Sequence, residues 1–191
     1  MNRQSRERGF TLVELLVAIL VAGICMAAFP IARGYLPVMQ VNGATRALAM
    51  QFREARAMAI QRGYDVIVVL DTEARRINVY ADSELDGIES SDLVKSHSYS
   101  YYGRQFEFRP VTTSGVDGLT ISSALKLGDT NPPSVTFRPN GGAVNAGVIY
   151  VTSSADSKVE LGRAIEILST GWVQNWIFNI NGSPGPWKKW I

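Results

Sequence analysis

Residues 10–29 read FTLVELLVAILVAGICMAAF, twenty residues in which Glu14 is the one ionisable carboxylate. As a helix this run covers about 30 Å, the thickness of a bilayer's hydrocarbon core. Arg3, Arg6 and Arg8 precede it against Glu7, a net +2 that predicts a cytoplasmic start and an exported remainder. The segment therefore reads as membrane-spanning, with its transmembrane part over 10–30. The chain carries one Cys and one His. That excludes an internal disulfide framework and a Cys-based zinc site, and leaves little room for a His-cluster metal centre.

A charged carboxylate inside hydrocarbon is costly unless it is paired, so Glu14 marks the segment as more than an anchor. Three ordinary readings compete. A secretory signal would have a shorter apolar core and a small-x-small cleavage site. A lipoprotein signal would need a small residue before the cysteine, where Ile24 precedes Cys25. A plain anchor explains the hydrophobicity but not Gly9, Phe10 and Glu14 together.

A short basic leader ending in Gly9, then Phe10-Thr11-Leu12-Val13-Glu14 ahead of a long apolar run, resembles the type III signal of type IV pilins and type II secretion pseudopilins. The resemblance implies a bacterial inner-membrane protein with a single span and its head in the periplasm. It also implies cleavage between Gly9 and Phe10 by a prepilin peptidase, which would then methylate the new amino group of Phe10. That cation would lie about one helical turn from Glu14. The two could neutralise each other within one chain or between neighbouring subunits, the second arrangement setting subunit register. The alternative is an acid that reaches back to the interface near the helix start.

Beyond the bilayer the helix is expected to continue to residue 62. Ala44, Leu48, Phe52, Ala55 and Ala59 fall on one face, with Arg46 and Arg53 nearly opposite, facing solvent or neighbours. Gly23, Pro30, Gly34 and Pro37 predict a kink or local melting upstream. Charge follows the same division. Residues 33–62 hold Arg33, Arg46, Arg53, Arg56 and Arg62 against Glu54, whereas residues 63–191 hold 11 basic and 14 acidic groups. A basic nucleic-acid-binding globule would look different.

After Gly63 the pattern turns to β. Strands are expected at 66–70, 76–80, 99–102, 105–109, 119–122, 135–138, 148–152, 164–168 and 173–180, with turns at 71–75 and 139–142. The fold class is α+β: a long N-terminal helix packed against a mainly β head of two antiparallel sheets. The organisation expected is a leader over 1–9, a helix over 10–62 and a head over 63–191. The head resembles the GspH/FimT family through Ala55–Ile60, through Val135-Thr136-Phe137-Arg138-Pro139-Asn140-Gly141, and through Arg163–Ile167 leading to Ser169-Thr170-Gly171. The implied role is a minor pseudopilin of a type II secretion system, near the filament tip, or a minor pilin of a type IV pilus. The implied partners are the prepilin peptidase, other minor and major pilins or pseudopilins, and inner-membrane lipid.

DNA-binding FimT-like members carry Gly-Arg-x-Arg near the C-terminus. Here the matching positions read Gly171-Trp172-Val173-Gln174, so both arginines are absent and DNA is not expected as a partner. A weak substitute is Lys188 and Lys189 between Trp187 and Trp190, where bases could stack beside two cations; the simpler reading is a hydrophobic-basic end docked on the head or a partner. Asp82, Glu84 and Asp86 followed by Gly87 have the spacing of half a calcium loop, but its twelfth position is Leu93, and a solvated acidic loop is the simpler reading. His97 reads as a surface or cross-strand residue. Cys25 reads as a small hydrophobe. No serine elbow, P-loop or paired-acid arrangement stands out, so the chain is expected to be neither an enzyme nor a cofactor binder.

Overall fold

The computed structural model describes residues 11–85, 87–99, 106–128, 130–154, 161–179 and 186–190, with backbone alone over 28–34. The chain divides into two units, Met1–Leu36 and Pro37–Ile191. Helix α1 is Leu12–Arg62. Eleven strands follow among the described residues: β1 (Asp65–Asp71), β2 (Arg76–Asp82), β3 (Leu93–Ser98), β4 (Phe106–Glu107), β5 (Leu125–Leu127), β6 (Ser134–Phe137), β7 (Ala143–Val144), β8 (Gly147–Ser153), β9 (Arg163–Ile167), β10 (Val173–Phe178) and β11 (Trp187–Trp190).

In the first unit every described side chain from Thr11 to Ala27 is exposed, although most are apolar. The helix runs without interruption through Gly23, Pro30, Gly34 and Pro37, so the local melting expected there is absent from the single chain. Each proline removes one hydrogen bond from a ladder that is intact on both sides, and the ladder survives the loss. Among the described residues no helix is long and apolar enough to cross a membrane. The described side chains of the apolar run stop at Ala27, whereas the sequence stays apolar through Ala28 and Phe29.

In the second unit the expected stripe is the buried face of the helix. Ala44, Leu48, Phe52, Ala55 and Ala59 are buried, joined by Val41 and Ala49. They belong to one core with Val66, Val68, Leu70, Val135 and Phe137 on one side and Ile149, Val151, Ile165 and Ile167 on the other. Thr45 is buried among them, its hydroxyl donating to the Val41 carbonyl at 2.7 Å, which removes the cost of an orphaned polar group.

The strands form two sheets, ordered β3-β2-β1-β6-β7 and β11-β10-β9-β8-β4, with β5 also pairing with β8. All described pairings are antiparallel. β1 is buried on both faces from Val66 to Leu70, which is why its sequence is a continuous apolar run without alternation. Several strand expectations shift. β3 at 93–98 was not expected, and of the strand expected at 99–102 only Tyr99 is described, residues 100–105 lying outside the described set. Residues 119–122 give only an isolated bridge, Ser114 to Thr120, because Gly115 and Gly118 turn the chain there instead. Strands β5, β7 and β11 are additions.

Candidate assembly sites

The helix start is organised by Thr11 and Glu14. The Glu14 amide donates to the Thr11 hydroxyl oxygen, and the Thr11 amide donates to Glu14 Oε2, each at 3.2 Å. The Thr11 hydroxyl also lies 3.2 Å from the same carboxylate oxygen. This is a reciprocal capping box, which satisfies two of the amides that a helix start leaves without partners. Its signature, Thr-x-x-Glu, is visible in the sequence. Gly9 and Phe10 lie outside the described residues. The box gives the Glu14 carboxylate a local partner.

A second site forms where α1 meets two turns of the head. After β6, Arg138 to Gly142 close a tight turn: the Gly141 amide donates to Arg138 O at 2.8 Å, and the Arg138 amide donates to Gly142 O at 2.9 Å. Gly141 sits at φ 83 and Gly171 at φ 75, conformations that favour glycine. At Gly171 a Cβ would overlap the Gly141 carbonyl oxygen and crowd Arg56 Nε, so the β9–β10 turn can approach only without a side chain. Arg56 fixes the junction. Its Nε donates to Gly141 O at 2.9 Å, and a terminal nitrogen donates to Thr170 O at 3.4 Å. The same guanidinium lies 5.2 Å from the Trp172 ring centre. Arg53 donates to Val173 O at 3.1 Å, and the Ala143 amide to Ser169 O at 2.8 Å. The three segments 55–60, 135–141 and 163–171 thus converge on one arginine.

Both stem arginines are exposed, as expected of the outer face, and each also reaches the head: Arg53 as above, and Arg46 with its guanidinium 4.5 Å from the Trp190 ring. A guanidinium on a long stem can lie along its own domain, capping carbonyls or stacking on rings, which helical periodicity alone does not foresee. Arg163, on β9, is buried and donates from Nε to Asn42 Oδ1 at 2.8 Å. Burial lowers its pKa, the charged form losing solvation.

The remaining candidates separate. Lys188 and Lys189 sit on β11, exposed, in register with Ile177 and Trp176 of β10. The indoles beside them are half-buried and engaged within the head. Trp187 donates from Nε1 to Ser114 O at 2.9 Å and packs 5.2 Å from Phe178, while Trp190 lies under Arg46. The hydrophobic-basic end is therefore an edge strand docked on the head. Asp82 closes β2 opposite Asp65, buried, with Oδ1 lacking a hydrogen-bond partner among the described residues; Glu84 is exposed. Asp86 lies outside the described residues, and among those described no group of three or more acidic, His or Cys side chains could hold a metal. His97 is half-buried on β3 opposite Ile77. Tyr99 is pushed up to about 12, mainly by burial; Arg75 opposes the shift and Asp71 adds to it. Tyr150 is raised, again mainly by burial.

A long helix with one stripe seated on two antiparallel sheets, preceded by an apolar segment that begins in a capping box, defines a pilin-like α+β subunit. Residues 4–29 match the prokaryotic N-terminal methylation motif, and residues 44–171 match the type II transport protein GspH family. The chain belongs to the GspH family. Similar solved structures include the minor pseudopilin EpsH of the Vibrio cholerae type 2 secretion system, at 12% identity over 71% of this chain and 95% of that one, with a TM-score of 0.47. Another is the type IV minor pilin FimU of Pseudomonas aeruginosa, at 13% identity over 70% and 86%, with a TM-score of 0.46. No curated protein matches the chain.

Proposed function

We propose that this chain is a minor pseudopilin of a type II secretion system, a structural subunit near the tip of the pseudopilus and not an enzyme. The observation that carries the reading is the union, in one chain, of the methylation motif over 4–29 and the GspH match over 44–171. The leader 1–9 is removed between Gly9 and Phe10 by a prepilin peptidase, and Phe10 is methylated. Residues 10–30 hold the subunit in the inner membrane as a single span, with the head in the periplasm. When the subunit is extracted, the same surface packs among other pseudopilins.

Glu14 is the assembly residue. Before cleavage its carboxylate bonds the Thr11 amide. Cleavage creates a cation one turn away, and a full charge attracts a carboxylate more strongly than an amide dipole does. The capping box then gives way to an ion pair, within the chain or with a neighbour. A role as a type IV minor pilin in DNA uptake is disfavoured by the loss of both Gly-Arg-x-Arg arginines and by the net acidic sequence beyond residue 62.

The test is genetic. Deleting the gene is expected to leave secreted enzymes in the periplasm, with rescue by the wild-type gene and none by Glu14→Leu. Normal secretion together with lost piliation or transformation would transfer the role to a type IV pilus.

A further inference from the structure

Between α1 and the β9–β10 turn runs a groove of about 470 Å³ lined by Arg53, Arg56, Ala57, Ile60, Trp172 and Val173. Its apolar side is open to solvent: Trp172 is 62% exposed and Ile60 50%. On its cationic side, among the described residues, Arg53 donates to Val173 O and Arg56 to the Gly141 and Thr170 carbonyls, and neither pairs with a carboxylate. Glu54, the acid next to Arg53 in the chain, is taken by Lys95 at 2.8 Å. A guanidinium has five N–H donors, so both arginines keep donors to offer. Arg56 is also held in place, by two carbonyls and by the Trp172 ring at 5.2 Å, which lowers the ordering cost of binding. An exposed tryptophan beside an oriented arginine has the composition of a protein-binding hot spot.

We infer that this groove docks an acidic, apolar segment of a different protein in the same assembly, a carboxylate meeting Arg53 and Arg56 while a neighbouring aliphatic or aromatic side chain lies against Ala57, Ile60 and Trp172. Charge complementarity sets the first half of that chemistry: a carboxylate gains charge-assisted hydrogen bonds from guanidiniums that have no acid of their own. The exposed apolar wall sets the second half. A long polyanion fits the groove less well, because it needs a row of cations to match its phosphates. Here two guanidiniums, partly engaged by carbonyls, stand beside Ala57, Ile60 and Val173, in a chain that is net acidic beyond residue 62. That the partner is a different protein rests on the minor-subunit reading above, since a subunit present in few copies meets unlike neighbours.

The experiment has two arms. In the first, the full chain in detergent is titrated by calorimetry with a capped peptide in which Asp flanks a Leu-Phe pair on both sides. It is expected to bind about tenfold more tightly than the same peptide with Asn for Asp, or with Ala for the Leu-Phe pair. Arg53→Gln and Ile60→Glu, both at exposed positions of α1, should each weaken it about tenfold while a melting curve shows the head still folded. In the second arm, p-benzoylphenylalanine replaces Ile60 in cells that make the other filament subunits, and the cross-linked peptide is sequenced. It is expected to come from another protein and to carry an acidic residue beside an apolar one. Equal binding of the Asp and Asn peptides, or binding indifferent to both variants, would overturn the inference. So would the absence of any cross-link, a cross-link to a second copy of this chain or to a peptide without a carboxylate, or a DNA oligonucleotide bound in a Trp172-dependent way. A cross-link of the expected chemistry to a type IV pilus subunit would uphold the inference and remove the secretion reading.

Discussion

Two stretches of α1 share a backbone and differ in everything their side chains do. From Thr11 to Ala27 the described helix is apolar around most of its circumference and exposed around all of it. From Pro37 to Arg62 it is amphipathic, with Ala44, Leu48, Phe52, Ala55 and Ala59 buried in the head. The second stretch has its stabilisation inside the molecule. The first has none within the described fold, and a helix that is apolar all round requires lipid or neighbouring helices to bury it. One stretch is a domain component; in the proposed function the other is an assembly component.

The largest separation of the two is expected from a core truncation. Phe52→Ala should cost the head about 3–5 kcal/mol by removing transfer energy and leaving a cavity, whereas Leu16→Ala should leave head unfolding within about 0.5 kcal/mol. Denaturant melts of both variants in detergent check this, and equal losses would break the comparison. Arg56→Ala comes next, at about 1–3 kcal/mol, because the Gly141 carbonyl loses its donor where two turns meet. A melt that matches wild type would mean the arginine serves only the surface.

A pH effect follows in size. Tyr99 is raised from 10.0 to about 12 in the folded head. Its neutral form is favoured by folding, so its contribution is fully present below pH 10 and is lost as pH rises toward 12. Urea melts between pH 9 and about 12 should show a decline that Tyr99→Phe reduces. The smallest effect belongs to the helix start. Thr11→Val, which removes the hydroxyl cap, should cost about 1 kcal/mol locally, read as faster amide exchange at Glu14 with head melting unchanged.

How much of this was legible depends on whether a segment declares its partner in its own spacing. The stripe from Ala44 to Ala59 did, because burial on one helix face leaves a period that the sequence keeps. So did β1, whose five apolar residues in a row reflect cover on both faces. β3 and β11 did not: Lys95, His97, Lys188 and Lys189 make them look solvated, and only pairing with β2 and β10 defines them. Arg56 was invisible as a junction for a related reason. An arginine on a stem reads as solvent-facing until the Gly141 and Thr170 carbonyls, remote in sequence, are brought within reach. At Glu14 the signal was present in Thr11 three residues earlier, but an intramembrane acid and a capping acid share the same letters.

The central claim is that the first stretch of α1 is released by a cut and then buried among other subunits. Intact-mass and amino-terminal sequencing of the chain made beside a prepilin peptidase tests it most directly. The account predicts a mature protein that begins at N-methylated Phe10. A mature protein that keeps Met1 through Gly9 would contradict it.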